Sequence, residues 1–587
     1  MCGIAGIMTV GREGPPEDVL GKLSAALAHR GPDGRKTYRS GNVGMVHNRL
    51  AIIDLATGDQ PLYEDGGAAL VCNGEIYNYI ELRQELHGVN FRTQSDCEPP
   101  LLLYRLYGLD FVDRLRGMYA LALHDPRSGR LVLARDPFGI KPLYYIESPA
   151  GVAFASEPQA LIAAGLIRPE IDPQRRSELL ELQFTTRGDT IFRGIKRVLP
   201  GETIVVSDGR VIERRRRDAL PPGAPEPRSL DEALAILDSV IEDSVRLHQR
   251  SDVPYGMFLS GGIDSSVVLA QMARLNPRPV VAFTAWFPDS VVADERGAAK
   301  AAARAVSAEH VEVPVRQQDF WSELPKVAAA MDDPVADYAS VPTYILGARA
   351  HAAGLKVVLS GEGGDEIFAG YGRYRSGLRP WWLGGRIMRR RGAFDGLDVL
   401  RERNPSWRDG IEAAEVTERT EGRSRLQVAQ AVDCADWLPN DLLVKVDRCL
   451  MAHGVEGRTP LLDTAVAKFA FRLPDQLKVR GRQGKWILRR WLERSLPSAA
   501  ATAPKRGFTV PVAAWIAGEA KRLAPLVASQ PSIAELAPRE AVIRLFSSND
   551  KHAGFAAWTL LFYALWHRRH VEGRVLQGDV FECLASA

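Results

Sequence analysis

FLSGGIDSS, residues 258–266, is the stretch on which the fold turns. An apolar run delivers Ser260, Gly261 and Gly262 to the start of a helix whose first turn carries Ser265 and Ser266. Two glycines let the backbone approach an anion closely, while amides and hydroxyls point at it and the helix N-terminus adds the positive end of its dipole. Those features suit a phosphate or pyrophosphate. A Gly-Gly pair before capping serines is by itself an ordinary turn, but the full run after an apolar strand is far more specific. No lysine follows the glycines as in GxxxxGK[ST], so cleavage of a γ-phosphate of the usual kind is not implied. Asp264 would repel a phosphate unless a cation intervened, which points to Mg²⁺.

Outward from that loop, strand and helix alternate. SSVVLAQMARL reads as a helix, VVAFTAWF as a strand, AAKAAARAVSA as a helix and HVEVPV as a strand. Such alternation predicts βαβ units and a parallel sheet. LSGEGGDEIFAGY, residues 359–371, then leaves another strand as an acidic, glycine-rich turn carrying Glu362, Asp365 and Glu366. The ends of strands are where α/β sheets place ligands. From about residue 375 the chain reads as mainly helical. FAAWTLLFYALW, residues 555–566, has roughly half the length a membrane span needs and reads as a buried helix. Upstream, four prolines in DALPPGAPEPRS, residues 218–229, mark a linker. Ser229 with Glu232 three residues on reads as a capping box that opens the next domain. Before the linker, short apolar runs (VGMVH, AALVCNG, YALALHD, LVLARD) separated by turn residues predict an α+β domain with sheets packed face to face.

The 587 residues allow roughly two to four domains. A net charge of +3 provides no global field to recruit nucleic acid or a membrane. The basic runs Arg214–Arg217 and Arg389–Arg391 read as solvated surface, since neither has interleaved aromatics. Six sparse cysteines without zinc spacing suit free thiols, and with no apolar leader visible the expected location is cytoplasmic. The opening MCGIAGI leaves two readings for Cys2. It is either an incidental residue or, once the methionine is removed, a thiol with a free α-amino group beside it as its base.

Taken together, MCGIAGI, AHRGPDG, HNRLAIIDL, CNGEIYN, TQSDCE, RDPFGIKPLYY and ASEPQAL before the linker, with FLSGGIDSS, LSGEGGDEIFAGY, VEGRTPLLD and PKRGFTVP after it, resemble the glutamine-hydrolysing asparagine synthetases from Met1 to about residue 520. The resemblance implies a class II glutamine amidotransferase domain over residues 2–217, an N-terminal-nucleophile hydrolase built as an αββα sandwich. The linker 218–229 follows, and then an ATP-pyrophosphatase-type domain over residues 230–587, with a parallel sheet and a helical C-terminal part. It implies that Cys2 attacks the glutamine amide, with Asn73 and the backbone N–H of Gly74 as the oxyanion hole. Arg49 would pair with the glutamine α-carboxylate, and Asp96 with Glu75 would hold its ammonium group. In the second domain, Leu259, Ser260, Gly261, Gly262, Asp264, Ser265, Ser266, Ala285, Ser360 and Gly361 would bind ATP. Asp264 and Asp365 would bind Mg²⁺, Glu362 would support formation of an acyl-adenylate, and Lys505 would stabilise its charge. Ammonia would pass between the two sites as neutral NH₃ through an apolar internal tunnel.

The acceptor is where the resemblance loosens. The best-known members carry a basic residue just before the A-S-x-P stretch of DDPVADYASVPTYIL, residues 332–346, and Tyr338 stands there. Aspartate is the expected acceptor, a sibling activity on a peptide, antibiotic or surface-sugar carboxylate is the alternative, and a non-catalytic scaffold is the reading from a different class. Glutamine, ATP and aspartate are thus the expected small-molecule partners, with a homodimer left as an option.

Overall fold

In strand Gly3–Thr9, Ile4 and Met8 face one side while Ala5 and Ile7 face the other, and all four are buried. This period-two pattern, apolar on both faces, requires cover above and below the sheet. The strand lies inside a six-stranded antiparallel sheet ordered Lys196–Arg197, Tyr144–Ser148, Gly151–Ala155, Gly3–Thr9, Val43–Arg49, Gly34–Ser40. A second antiparallel sheet runs Arg210–Arg216, Glu202–Ser207, Arg130–Arg135, Gly117–Asp125, Ala69–Ile76, Leu62–Tyr63. Ile4, Met8, Val71, Ala120, Leu131 and Ile204 share the core between the two sheets. On the outer faces, helix Glu17–Ala26 packs on the first sheet through Leu20 and Leu23, and helix Glu98–Tyr107 packs on the second through Leu101 and Leu103. The layering is αββα. A computed structural model is the source of this description, which covers residues 2–288, 295–379, 388–497 and 510–586. Lys505 lies outside the described residues.

After the proline-rich segment, the Ser229 hydroxyl accepts from the Glu232 N–H at 3.3 Å and caps helix Leu230–His248. The reciprocal half of the expected capping box is missing, because the Glu232 carboxylate pairs instead with Arg228 at 3.2 Å. The alternating region forms a five-stranded sheet ordered Glu309–Pro314, Val281–Trp286, Tyr255–Phe258, Val357–Leu359, Glu456–Arg458, with every pair parallel. Strands Tyr255–Phe258 and Val357–Leu359 are neighbours, so the two glycine-rich turns that leave them lie side by side.

The late apolar stretch lies within helix Lys551–His570, buried on all sides. No described helix is long and apolar enough to cross a membrane. The fully buried Trp558 donates its indole N–H to the Ala336 carbonyl at 2.7 Å, and Trp566 packs on Phe192 of the first half with ring centroids 5.4 Å apart. One expectation is overturned: Arg389 does not belong to a solvated run. Its side chain is only 14% exposed, lies over the Trp437 ring at 3.9 Å and comes within 3.7 Å of Asp433, because an aromatic face and a buried carboxylate both favour a guanidinium. Trp558→Ala should cost about 3–5 kcal/mol through the cavity and the orphaned carbonyl. A thermal melt that did not shift downward would contradict that packing.

Candidate active site

Cys2 stands at the head of the inner strand Gly3–Thr9 and is 7% exposed. Its backbone N–H donates to Asn73 Oδ1 at 3.0 Å. That contact orients the amide, leaving Asn73 Nδ2 buried and without a hydrogen-bond partner among the described residues. A buried donor left unmade is costly, and a free donor beside a nucleophile is the provision an oxyanion hole needs. Asn73, Gly74 and Glu75 are consecutive in strand Ala69–Ile76. Gly74 admits no side chain, since a Cβ there would lie 2.2 Å from the Met118 carbonyl. Burial pushes the Cys2 thiol up to about 11, so it is protonated at neutral pH and needs a base to react.

Around the thiol, charges that read as surface from residue type alone are buried. Arg49 is 8% exposed, with Nη1 2.9 Å from Asp59 and Nη2 donating to the Asp54 carbonyl. Asp96 accepts from the Ile76 N–H at 2.7 Å, and burial raises its carboxyl to about 6. Burial and the nearby Asp96 charge also hold the Glu75 carboxyl well above the usual range. Two buried carboxylates this close together suit a cationic ligand.

The second site is a cavity of about 1000 Å³ at the carboxyl ends of the parallel strands. Ten of the expected residues line it together: Leu259, Ser260, Gly261, Gly262, Asp264, Ser265 and Ala285 on one side, with Ser360, Gly361 and Asp365 on the other. Glu362 lines it too, and burial raises its carboxyl. Ser266 does not line it: the residue is 1% exposed and sits one turn into the helix, where its N–H donates to the Gly262 carbonyl at 3.0 Å. Gly261 has φ +70°, and a Cβ there would meet the Ala299 nitrogen at 2.6 Å. The turn therefore requires glycine.

Two lysines belong to the cavity that sequence reasoning missed. Lys485 sends Nζ to Asp264 Oδ2 and lies 2.7 Å from Asp365. Burial acts to lower its basicity, but the Asp264 and Asp365 carboxylates outweigh that and hold it up. Lys445 bonds Asp337 at 2.7 Å. The only sequence signal for Lys485 was a Gly-Lys pair before helix Trp486–Ser495, and Lys445 sits inside an apolar helix that reads as core. Tyr338 lines the same cavity and stacks on Phe555 of helix Lys551–His570, ring centroids 5.3 Å apart and planes 22° apart.

The arrangement defines a class: an antiparallel sandwich headed by a buried thiol, joined to a parallel-sheet unit with a phosphate-type cavity, as in a glutamine amidotransferase coupled to a ligase. The family description "Glutamine amidotransferase domain" matches residues 1–216, and "Asparagine synthase" matches residues 237–568. A chain from Mycobacterium tuberculosis is 35% identical over 98% of both lengths. "Asparagine synthetase [glutamine-hydrolyzing] 1" of Bacillus subtilis is 32% identical over 99% of this chain and 98% of its own. "Asparagine synthetase B [glutamine-hydrolyzing]" of Escherichia coli is 31% identical over 84% and 79%. The chain belongs to the asparagine synthetase family; it is a carbon–nitrogen ligase of glutamine-dependent amidation, and ATP is the co-substrate of that family.

If Asn73 Nδ2 is an oxyanion donor, Asn73→Ala should lower kcat for glutamine hydrolysis by about 10²–10³. Steady-state release of glutamate measures it, and an unchanged kcat would remove Asn73 from the reaction.

Proposed function

We propose that the chain makes asparagine from aspartate, glutamine and ATP, with residues 2–217 acting as the glutaminase, 218–229 as the linker and 230–587 as the synthetase. The observation that carries the acceptor is the extent of similarity. The relatives aligned over nearly the whole chain are named asparagine synthetases, whereas the fungal "Amidase chry2" and "Amidase chyE" align over 64% and 60% of it. The cavity lining supports it too, since Asp337 and Lys445, 2.7 Å apart, and Tyr338 offer charged and aromatic groups to an amino-acid acceptor.

In this reading, Met1 is removed and the Cys2 α-amine, held by Asn73 Oδ1, takes the thiol proton as sulfur attacks the glutamine amide carbon. Asn73 Nδ2 and the Gly74 N–H stabilise the oxyanion, and the amine returns the proton to the leaving ammonia. Water then releases glutamate from the thioester. Arg49 would exchange Asp59 for the glutamine α-carboxylate, a fork geometry made for it, while Asp96 and Glu75 would hold the ammonium group. At the second site the aspartate side-chain carboxylate attacks the α-phosphorus of ATP, expelling pyrophosphate into the Ser260–Ser265 loop. Ammonia then displaces AMP from the acyl-adenylate, with Glu362 beside it. Lys505 is assigned its charge-stabilising role from its motif.

The residues fit Mg²⁺. Asp264 and Asp365 present hard oxygen donors to the cavity and already share a cation, Lys485 Nζ. The described residues form no cluster of three or more His, Cys, Asp or Glu ligands, which matches an ion held by one or two carboxylates plus phosphates. When bound, it would neutralise phosphate charge. An apolar cluster shared by both halves, including Leu50, Ile52, Met118 and Phe138 with Leu259, Leu461 and Leu462, supports transfer of neutral NH₃. The six cysteines, all free and buried, support a reducing, cytoplasmic setting.

The test is AMP, pyrophosphate and asparagine formation with glutamine, ATP and Mg²⁺, with and without L-aspartate. Aspartate-dependent AMP with matching asparagine is expected; glutamate release without it would send the search to another carboxylate. Cys2→Ala should abolish glutamine-dependent synthesis while ammonia still supports it. Because Asp96 must be ionised to hold an ammonium and titrates near 6, KM for glutamine should rise as pH falls through that value. A flat KM between pH 7 and 5 would count against the clamp.

A further inference from the structure

Arg458 lies on the edge strand Glu456–Arg458 of the parallel sheet, yet its side chain ends in the glutaminase site. It is fully buried. Nε donates to Glu456 at 2.6 Å, and Nη1 donates to the carbonyls of His248 and Arg250 at 2.8 and 2.7 Å. Nη2 lies 3.3 Å from Glu75 Oε2. Neither of those two atoms makes a hydrogen bond among the described residues, so they meet as charges and the Glu75 oxygen keeps its accepting capacity. The Arg458 main chain points the other way: its carbonyl accepts from the Ser360 N–H at 2.9 Å, at the start of the nucleotide-side turn.

Three carboxylates, Glu75, Asp96 and Glu456, surround this guanidinium and are themselves buried. Burial and the other two carboxylates push Glu75 towards the neutral acid, and Arg458 opposes them. A neutral Glu75 would not attract an ammonium group. The anchoring bonds to Glu456 and the two carbonyls do not require a fourth contact to Glu75. That contact does something only for the first half.

We propose that Arg458, supplied by the synthetase half, is a positioning residue for glutamine: its contact with Glu75 fixes where that side chain meets the substrate's α-ammonium and ties it to the strand end that carries Ser360. The glutamine site is then complete only when the two halves are docked. The proposal rests on the reading of Glu75 and Asp96 as the ammonium clamp.

The test compares glutamine with glutaramate, its analogue lacking the α-ammonium, in the full chain. For Arg458→Met, kcat/KM for glutamine should fall about 100-fold, the loss expected when one partner of a buried charge pair is removed. For glutaramate it should change less than about threefold, so the preference for glutamine collapses. Glu75→Gln should show the same collapse, and Glu75→Gln/Arg458→Met should be no worse than Glu75→Gln. Equal losses on both substrates, or an additive double variant, would make Arg458 a structural anchor and overturn the proposal. If Arg458→Met does not fold, Arg458→Lys decides: a partial drop in preference supports the proposal and an unchanged preference overturns it. The parent reading fails separately, by Glu75→Gln keeping the wild-type preference.

Discussion

The two halves are held in register by a buried ionic lattice, and everything functional hangs from it. Arg30 bridges Glu157 of the sandwich at 2.7 Å and Asp447 of the second half at 2.8 Å, while its Nε donates to the Cys2 carbonyl at 3.2 Å. Arg448 of the second half bonds its own Asp332 and Asp447 at 2.7 Å each and reaches back to the sandwich, donating to the Tyr144 hydroxyl at 3.4 Å and the Ser156 carbonyl at 3.5 Å. Arg197 of the sandwich grips Asp333 at 2.7 Å, and the Tyr144 hydroxyl donates to the same carboxylate at 2.8 Å. All of these side chains are buried. Taking such charges out of water is expensive, and apolar replacements of the same shape could give comparable stability. What the lattice adds is direction: charged forks accept one docking geometry, where an apolar face would tolerate several.

That geometry reaches the second site through short rigid paths. Helix Leu443–Met451 carries Lys445 at the cavity, and two and three residues on it carries Asp447 and Arg448 at the lattice. The segment 332–338 is fixed the same way: Asp332 and Asp333 bind the lattice, and Asp337 and Tyr338 follow at the cavity. Tyr338 is therefore explained by its neighbours. Helix Lys551–His570 brings Phe555 against its ring and Trp558 against the Ala336 carbonyl, so a planar residue is packed where a basic one stands in better-known members. Pocket shape there is set by residues more than 200 positions away in sequence.

Much of this was legible in the sequence because it is local. Strand-to-turn-to-helix transitions at 258–266 and 359–371, the proline-rich break and the alternating apolar runs each declare themselves within about ten residues. Glycine positions declare close approach, as Gly74 and Gly261 do. What stayed hidden is pairing at a distance. Nothing in RGRQGKW says that Lys485 reaches Asp264, 221 positions earlier, and nothing in an RRR run says that its first member lies under an aromatic ring. Charge partners across a fold leave no periodic trace, so burial of Arg49, Asp96 and Arg389 could not be read from their immediate neighbours. The C-terminal region was illegible for the same reason: its helix is apolar all round, which announces burial but not against what.

The resting chemistry of both sites follows one rule. Several charges at the two sites already have an opposite charge beside them: Asp59 sits on Arg49, Lys485 on Asp264 and Asp365, and Asp337 on Lys445. A bare buried charge would destabilise the fold or neutralise itself by shifting its protonation. With a stand-in, ligand binding becomes an exchange of partners between groups that were desolvated during folding. The desolvation cost of the site is then met by the folded chain before any ligand arrives, and the ligand's own charges are what decide occupancy. The Cys2 thiol is the neutral counterpart of this rule. Burial keeps it protonated, and beside it the Asn73 Nδ2 is buried with no hydrogen-bond partner among the described residues.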